Sequence, residues 1–307
     1  MIGSAVFLPS GIHMSNDQNV NIRSERLKYI TAVVLYGTIG LFLRHVSFPS
    51  ELVAMCRGII GSIFIFLYLR IRGPKPDTVA IKNNLSWLVL SGICLGLNWI
   101  FLFAAYIETT VAIASLCNYL APAMVVLIAP AVLHEKLDLR KLPCVFVSLL
   151  GVALISGVLD GQKGSSKGII LGLLAAAGFV GIVLCNRQLM GISAMDKAIV
   201  QLVVSAATIL PYVIIHNRGT VIGFDLSSVL ITLMLGILHT GVAYCLYFSG
   251  MGTLPVQTVA VLGYLEPVVS VLCSVLLLNE PLSLWGWLGA VLVIGAAAVS
   301  EIMPEKE

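Results

Sequence analysis

From residue 27 onward the chain is a series of long apolar runs separated by brief polar punctuation. The runs occupy 27–46, 51–71, 85–106, 110–133, 140–158, 167–189, 195–216, 228–251, 255–278 and 282–302. A helix of about 20 residues, rising 1.5 Å per residue, crosses ~30 Å of hydrocarbon, and each run is of that order. The strict two-residue alternation of a membrane barrel is absent. Lipid cannot satisfy a bare backbone, so the runs predict helices. The expected fold is an all-α membrane protein of ten transmembrane helices. The connections are too short to hold a soluble catalytic domain.

The spans follow one plan twice. Residues 96–139 and 241–284 are copies offset by 145 positions, with Tyr119-Leu120-Ala121-Pro122 on Tyr264-Leu265-Glu266-Pro267 and His134-Glu135-Lys136 on Asn279-Glu280-Pro281. Gly96 falls on Gly241, Phe103 on Phe248, Val111 on Val256 and Leu133 on Leu278. The chain therefore divides into a polar, disordered cytoplasmic segment at 1–26, a first five-helix repeat at 27–158 and a second at 167–302. Bundles built from such repeats, with a site at the repeat interface, are the architecture of secondary transporters. Pro122 and Pro267 each remove a backbone donor at equivalent positions, which predicts two kinked helices flanking a central cavity.

Composition agrees with lipid as the main solvent. The chain is 59% hydrophobic and 11% charged, against roughly 25% charged for a soluble domain. The net charge of +3 is distributed by topology and gives no pointer to nucleic acid. With the N-terminus placed in the cytoplasm, thirteen Lys and Arg residues fall inside and four outside, namely Arg44, Lys163, Lys167 and Arg218. This positive-inside bias predicts two cytoplasmic termini and a multi-pass protein of the cytoplasmic (inner) membrane. Five spans per half is an odd number, so the second half enters from the opposite side and the repeats are inverted. Met1–Gly11 lacks the basic flank of a signal peptide, and Met14 serves equally well as a start. The seven cysteines lie in different spans without a C-x-x-C pair, and read as apolar core residues. No metal and no cofactor are expected.

Two charged residues are out of place. Arg57 and Glu266 lie well inside spans, where a charge costs at least ~2.5–3.5 kcal/mol on insertion scales. Glu266 precedes Pro267, shares a face with Gly263 and Ser270, and is replaced by Ala121 in the other copy, so the repeated fold itself does not need the carboxylate. It is either a cavity group that handles substrate or ion, or a strut bonding neighbouring helices. Arg57 lies roughly 9 Å below the outer surface, and Glu266 about 6 Å deeper. Arg57 either snorkels to the headgroups, or lies in the cavity, where it binds an anionic group or pairs with Glu266. Its approximate counterpart is Gln201, at an offset of 144.

A second tier is polar or aromatic at mid-depth: Tyr36, Asn98, Trp99, Asn118, Tyr119, His239, Tyr244, Tyr247 and Tyr264. Aromatic residues with polar tips prefer the interfaces. Each of these bonds a neighbouring helix, or together they line a cavity for an organic solute. Trp87, Trp285, Trp287, Tyr29 and Tyr68 lie near span ends and read as interface anchors. The pairs Gly92/Gly96 and Gly168/Gly172 have the spacing that lets helices approach closely.

The Tyr-Leu-x-Pro of spans four and nine, the acidic residues Glu135 and Glu280 beyond each, the arginine-bearing Ala54-Met55-Cys56-Arg57-Gly58 and the 5+5 plan resemble the ten-helix EamA branch of the drug/metabolite transporter superfamily. The resemblance covers residues 27–302. It implies a basket of helices around a central pocket, with spans five and ten to one side. The expected function is secondary active or facilitative transport of a small organic metabolite, such as an amino acid, by alternating access. Export is favoured by analogy, protons are a candidate coupling ion, and one monomer suffices for a complete pathway. No Walker motif is present, so ATP is not the direct driver. The alternatives are a non-transporting membrane protein or an intramembrane enzyme, and for the latter the paired acids or nucleophile–base sets are missing from the spans.

Overall fold

The computed structural model describes residues 16–71, 75–109, 111–133, 139–140, 142–155, 165–217, 223, 225–278 and 283–303. Glu135, Glu280 and the connection 156–164 lie outside the described residues, as do residues 1–15. Among the described residues every regular element is helical. The first repeat comprises α1 (Asn16–Leu43), α2 (Ser50–Ile71), α3 (Thr78–Asn83), α4 (Leu85–Glu108), α5 (Val111–Asn118), α6 (Ala121–Leu133) and α7 (Leu142–Ile155). The second comprises α8 (Ser166–Arg187), α9 (Ala194–His216), α10 (Leu226–Met234), a π-helical segment (Leu235–Val242), α11 (Ala243–Thr253), α12 (Val256–Gly263), α13 (Leu265–Leu278) and α14 (Leu284–Ile302). Among the described residues eight helical passes are long and apolar enough to span a bilayer, and α7 and α14 contain two shorter apolar stretches. Ten passes result, arranged as two inverted five-helix repeats.

Local sequence explains where the passes begin. Asp77, Ser165, Ser193, Asp225 and Ser283 are N-caps whose side chains accept backbone N–H groups of the first turn. At Asp225 the hydroxyls of Ser228 and Ser227 also donate to the carboxylate and hold it below its usual range. α1 starts at Asn16, so residues 16–26, expected to be disordered, continue the first span as helix.

The fourth and ninth passes are each interrupted beside the expected proline. Each breaks and restarts: α5 ends at Asn118 and α6 begins at Ala121, while α12 ends at Gly263 and α13 begins at Leu265. Pro122 and Pro267 therefore sit in the first turn of a new helix, where a missing N–H costs nothing. Tyr119 and Tyr264 occupy the two breaks.

The packing follows the repeat symmetry. α4 packs on α8 and α9, and the π-segment with α11 packs on α2 and α1. α2 meets α9, and α7 meets α14 beside the bundle. Glycines set the close approaches: a Cβ on Gly92 would lie 2.6 Å from Val204 Cβ, and one on Gly96 2.6 Å from Thr208 Cβ. Gly168 and Gly172 face Thr109 and Cys117 at 2.5 and 2.6 Å in the same sense. Outward faces of the spans carry exposed Leu, Ile and Val, and Tyr68, Trp87, Trp285 and Trp287 are exposed, as anchors at span ends would be.

Candidate functional site: a central cavity between the repeats

A cavity of about 280 Å³ lies between the halves, near the lower end of the ~300–1,000 Å³ typical of small-molecule pockets. It is lined from both repeats: α1, α2, α4 and α5 contribute Tyr36, Arg57, Asn98, Trp99 and Asn118, and the second repeat supplies Tyr244, Tyr247 and Glu266. Tyr119 and Pro122, at the break between α5 and α6, line it as well. The breaks bring two helix N-termini, of α6 and α13, near the middle of the fourth and ninth passes.

Arg57 is 8% exposed and points into the bundle, so it does not snorkel. Its Nε donates to Thr240 Oγ1 at 3.0 Å, and its guanidinium lies 5.7 Å from the centroid of Trp99, a cation–π geometry. Glu266 lies in the first turn of α13, where the helix dipole favours a negative charge. The Tyr119 hydroxyl faces its carboxylate. Arg57 and Glu266 share the cavity without forming an ion pair with each other; pairs such as Lys28–Glu25 and Lys167–Glu108 lie elsewhere.

The wall between them is aromatic. Tyr36 meets Tyr244 and Tyr247, each with ring centroids 5.6 Å apart, and Trp99 meets Tyr244 edge-on at 6.3 Å. The Tyr36 hydroxyl is buried with no hydrogen-bond partner among the described residues. Asn98 Nδ2 donates to Asn118 Oδ1 at 2.9 Å and to the Ala175 carbonyl at 2.7 Å, tying α4 to α5 and α8.

Three expected site residues stand outside the lining. Gln201, fully buried, exchanges hydrogen bonds with Asn186, which also donates to Ser91 Oγ at 3.0 Å. It joins α9, α8 and α4, a bond between helices in place of a substrate contact. His239, 1% exposed, sits behind Arg57 with its Nε2 2.9 Å from Thr38 Oγ1 and its ring against Phe42. Tyr264 is buried with its hydroxyl against the Ala123 backbone. Its side chain faces the core while its neighbours Gly263 and Glu266 line the cavity, whereas the equivalent Tyr119 side chain lines the cavity itself.

Other residues enter the site from unexpected quarters. Tyr29, read as an interface anchor, is 1% exposed and lines the cavity, stacking on Tyr247 at 4.9 Å and donating to the Val259 carbonyl at 3.1 Å. Tyr29, Val183, Val256 and Val259 close the end of the cavity where α1 begins, and all are buried. Leu43, Phe103 and Tyr106, at the other end, are partly exposed. At the closed end Glu25 bonds Ser249 and Lys28, and Arg187 donates to the Leu254 carbonyl.

The profile of the EamA-like transporter family matches residues 26–157 and again 166–301. The chain belongs to the EamA-like transporter family. An uncharacterized transporter of Bacillus subtilis, YxxF, is 25% identical over 294 residues, covering 94% of this chain and 93% of the relative. The aromatic amino acid exporter YddG of Salmonella typhimurium is 27% identical over 281 residues, covering 86% of this chain and 92% of its own. A protein crystal structure superposes with a TM-score of 0.77 at 23% identity, covering 92% of this chain and 99% of the other, a likeness of fold. The EamA-like chain is thus a multi-pass membrane transporter of small metabolites, in a family named for transport and not for catalysis.

Proposed function

We propose that this EamA-like protein is a secondary transporter of small zwitterionic metabolites with an aromatic or apolar body, of the amino-acid type. One observation carries the reading: a single cavity at the repeat interface presents an arginine and a carboxylate that are not paired with each other, separated by aromatic rings. An amino acid offers the complement, with its carboxylate toward Arg57, its ammonium toward Glu266 and its side chain against Trp99, Tyr36 and Tyr244. The cavity's closed end near Tyr29 and its partly exposed end near Leu43 support alternating access, with the inverted repeats rocking about the site. The name of the related exporter YddG supports export and an aromatic side chain. The chain works as a monomer in the cytoplasmic membrane, with both termini inside and protons as the coupling ion through Glu266.

The test is flux. Purified protein in proteoliposomes is loaded with labelled L-phenylalanine, and efflux is followed with and without a pH gradient. Saturable efflux, inhibited by unlabelled L-phenylalanine and accelerated by the gradient, supports the reading. Flux equal to that of empty liposomes for all aromatic and apolar amino acids defeats it.

A further inference from the structure

We infer that Thr240, through the π-helical turn that carries it, positions Arg57 to receive the carboxylate end of the transported solute. This rests on the amino-acid reading of the cavity given above. Thr240 is fully buried. Its hydroxyl proton is committed to the Leu235 carbonyl, five residues back, at 3.1 Å. A threonine in an ordinary helix reaches three or four residues back; the wider π-turn of Leu235–Val242 permits five. With its proton spent there, the Thr240 oxygen can only accept, and it accepts from Arg57 Nε at 3.0 Å.

The guanidinium is a rigid planar fork of five donors. Anchoring Nε and seating the guanidinium carbon over the Trp99 ring restrict its orientation. The two terminal nitrogens carry no hydrogen bond among the described residues, and Arg57 lines the cavity. They form a bidentate donor pair matched to a carboxylate. The surrounding packing leaves the anchor little play. One turn beyond Arg57, a Cβ on Gly61 would lie 3.0 Å from Thr240 Cγ2 and 3.1 Å from the Gly236 carbonyl. A Cβ on Gly236 would lie 2.6 Å from Ile60 Cβ, so α2 and the π-turn meet backbone to backbone. π-turns inside helices recur at functional sites, and here the turn supplies an acceptor at the depth of the arginine.

The experiment compares two probes on full-length protein in lipid nanodiscs: L-phenylalanine, and 2-phenylethylamine, which keeps ring and ammonium but lacks the carboxylate. Thr240→Val removes the hydroxyl at nearly constant shape, and Thr240→Ser keeps it. The expected result is a loss of L-phenylalanine affinity of about tenfold in T240V, unchanged 2-phenylethylamine affinity, and recovery in T240S. A T240V affinity for L-phenylalanine within twofold of the parent overturns the inference, as does an equal loss for both probes. A second readout is independent of any solute. The Arg57 Nε–H resonance, assigned by its loss in Arg57→Lys, should exchange with water faster in T240V and at the parent rate in T240S. If the parent protein binds neither probe, the amino-acid reading fails by itself. Faster exchange in T240V then still supports positioning by Thr240, and unchanged exchange overturns it.

Discussion

The Tyr119 hydroxyl of the first repeat faces the Glu266 carboxylate of the second. The two residues belong to equivalent stretches, 119–122 and 264–267, beside the breaks in the fourth and ninth passes, yet their surroundings differ. Ala121 stands where the second repeat has Glu266, and Tyr264 is walled off from the cavity that Tyr119 lines. The fold is nearly symmetric while its chemistry is one-sided.

Glu266→Gln preserves shape and most hydrogen bonding while removing the charge. The expected outcome is loss of accumulation driven by a pH gradient, with solute exchange across the same liposomes retained. A fall in affinity under every driving force, with gradient-driven accumulation intact, would leave Glu266 the ammonium contact and remove it from proton coupling. Parent kinetics with and without the gradient would remove it from the mechanism.

Arg57→Gln removes the charged donor pair. Hydrogen bonds to charged groups contribute about 1.5–3 kcal/mol, so L-phenylalanine affinity should fall at least about tenfold. Titration calorimetry checks this, and an affinity within twofold of the parent would falsify the cavity role of the arginine.

Tyr29→Phe removes the hydroxyl that bonds the Val259 carbonyl at the closed end. The lost bond weakens that closure by about 1 kcal/mol. With a cysteine placed at Val183 as reporter, labelling by a membrane-impermeant maleimide from the α1-start side should rise severalfold over the same reporter with Tyr29 intact.

Gly96→Ala should destabilise the bundle by about 1–3 kcal/mol through overpacking, since its new Cβ would lie 2.6 Å from Thr208 Cβ. Gly295→Ala, with nothing within 4 Å of the new atom, is the control. A lowered melting temperature for the first and an unchanged or slightly raised one for the second, in detergent, is the expected pair of results.

Topology is checked by reporter fusions after Glu307 and within residues 160–167. They should report opposite sides of the membrane, with the C-terminal fusion cytoplasmic. Reporters on the same side would be incompatible with inverted five-span repeats.

Much of this protein was legible in its one-dimensional pattern. Membrane spans declare themselves because lipid penalises every unpaired backbone group and every charge, so length and hydropathy alone locate them. The repeat was visible because Tyr119-Leu120-Ala121-Pro122 and Tyr264-Leu265-Glu266-Pro267 kept their spacing. The same penalty singled out Arg57 and Glu266, since a charge at depth needs a special reason to be there.

The tertiary structure decided what a span-by-span reading cannot. A buried polar residue looks the same in sequence whether it bonds a neighbouring helix or faces a cavity, because both satisfy the same hydrogen-bonding demand. Gln201 and His239 took the first course, Tyr244 the second, and Asn98 both. Proline marks where a helix loses a donor, but only packing determines whether it bends or restarts, and here both passes restart. Tyr29 lies near a span end, as an interface anchor does, yet the approach of Gly250, whose added Cβ would lie 2.7 Å from Tyr29 Cβ, draws it into the core. The π-turn at Thr240 has no sequence signature, because one extra residue per turn is a response to the helix packed against it.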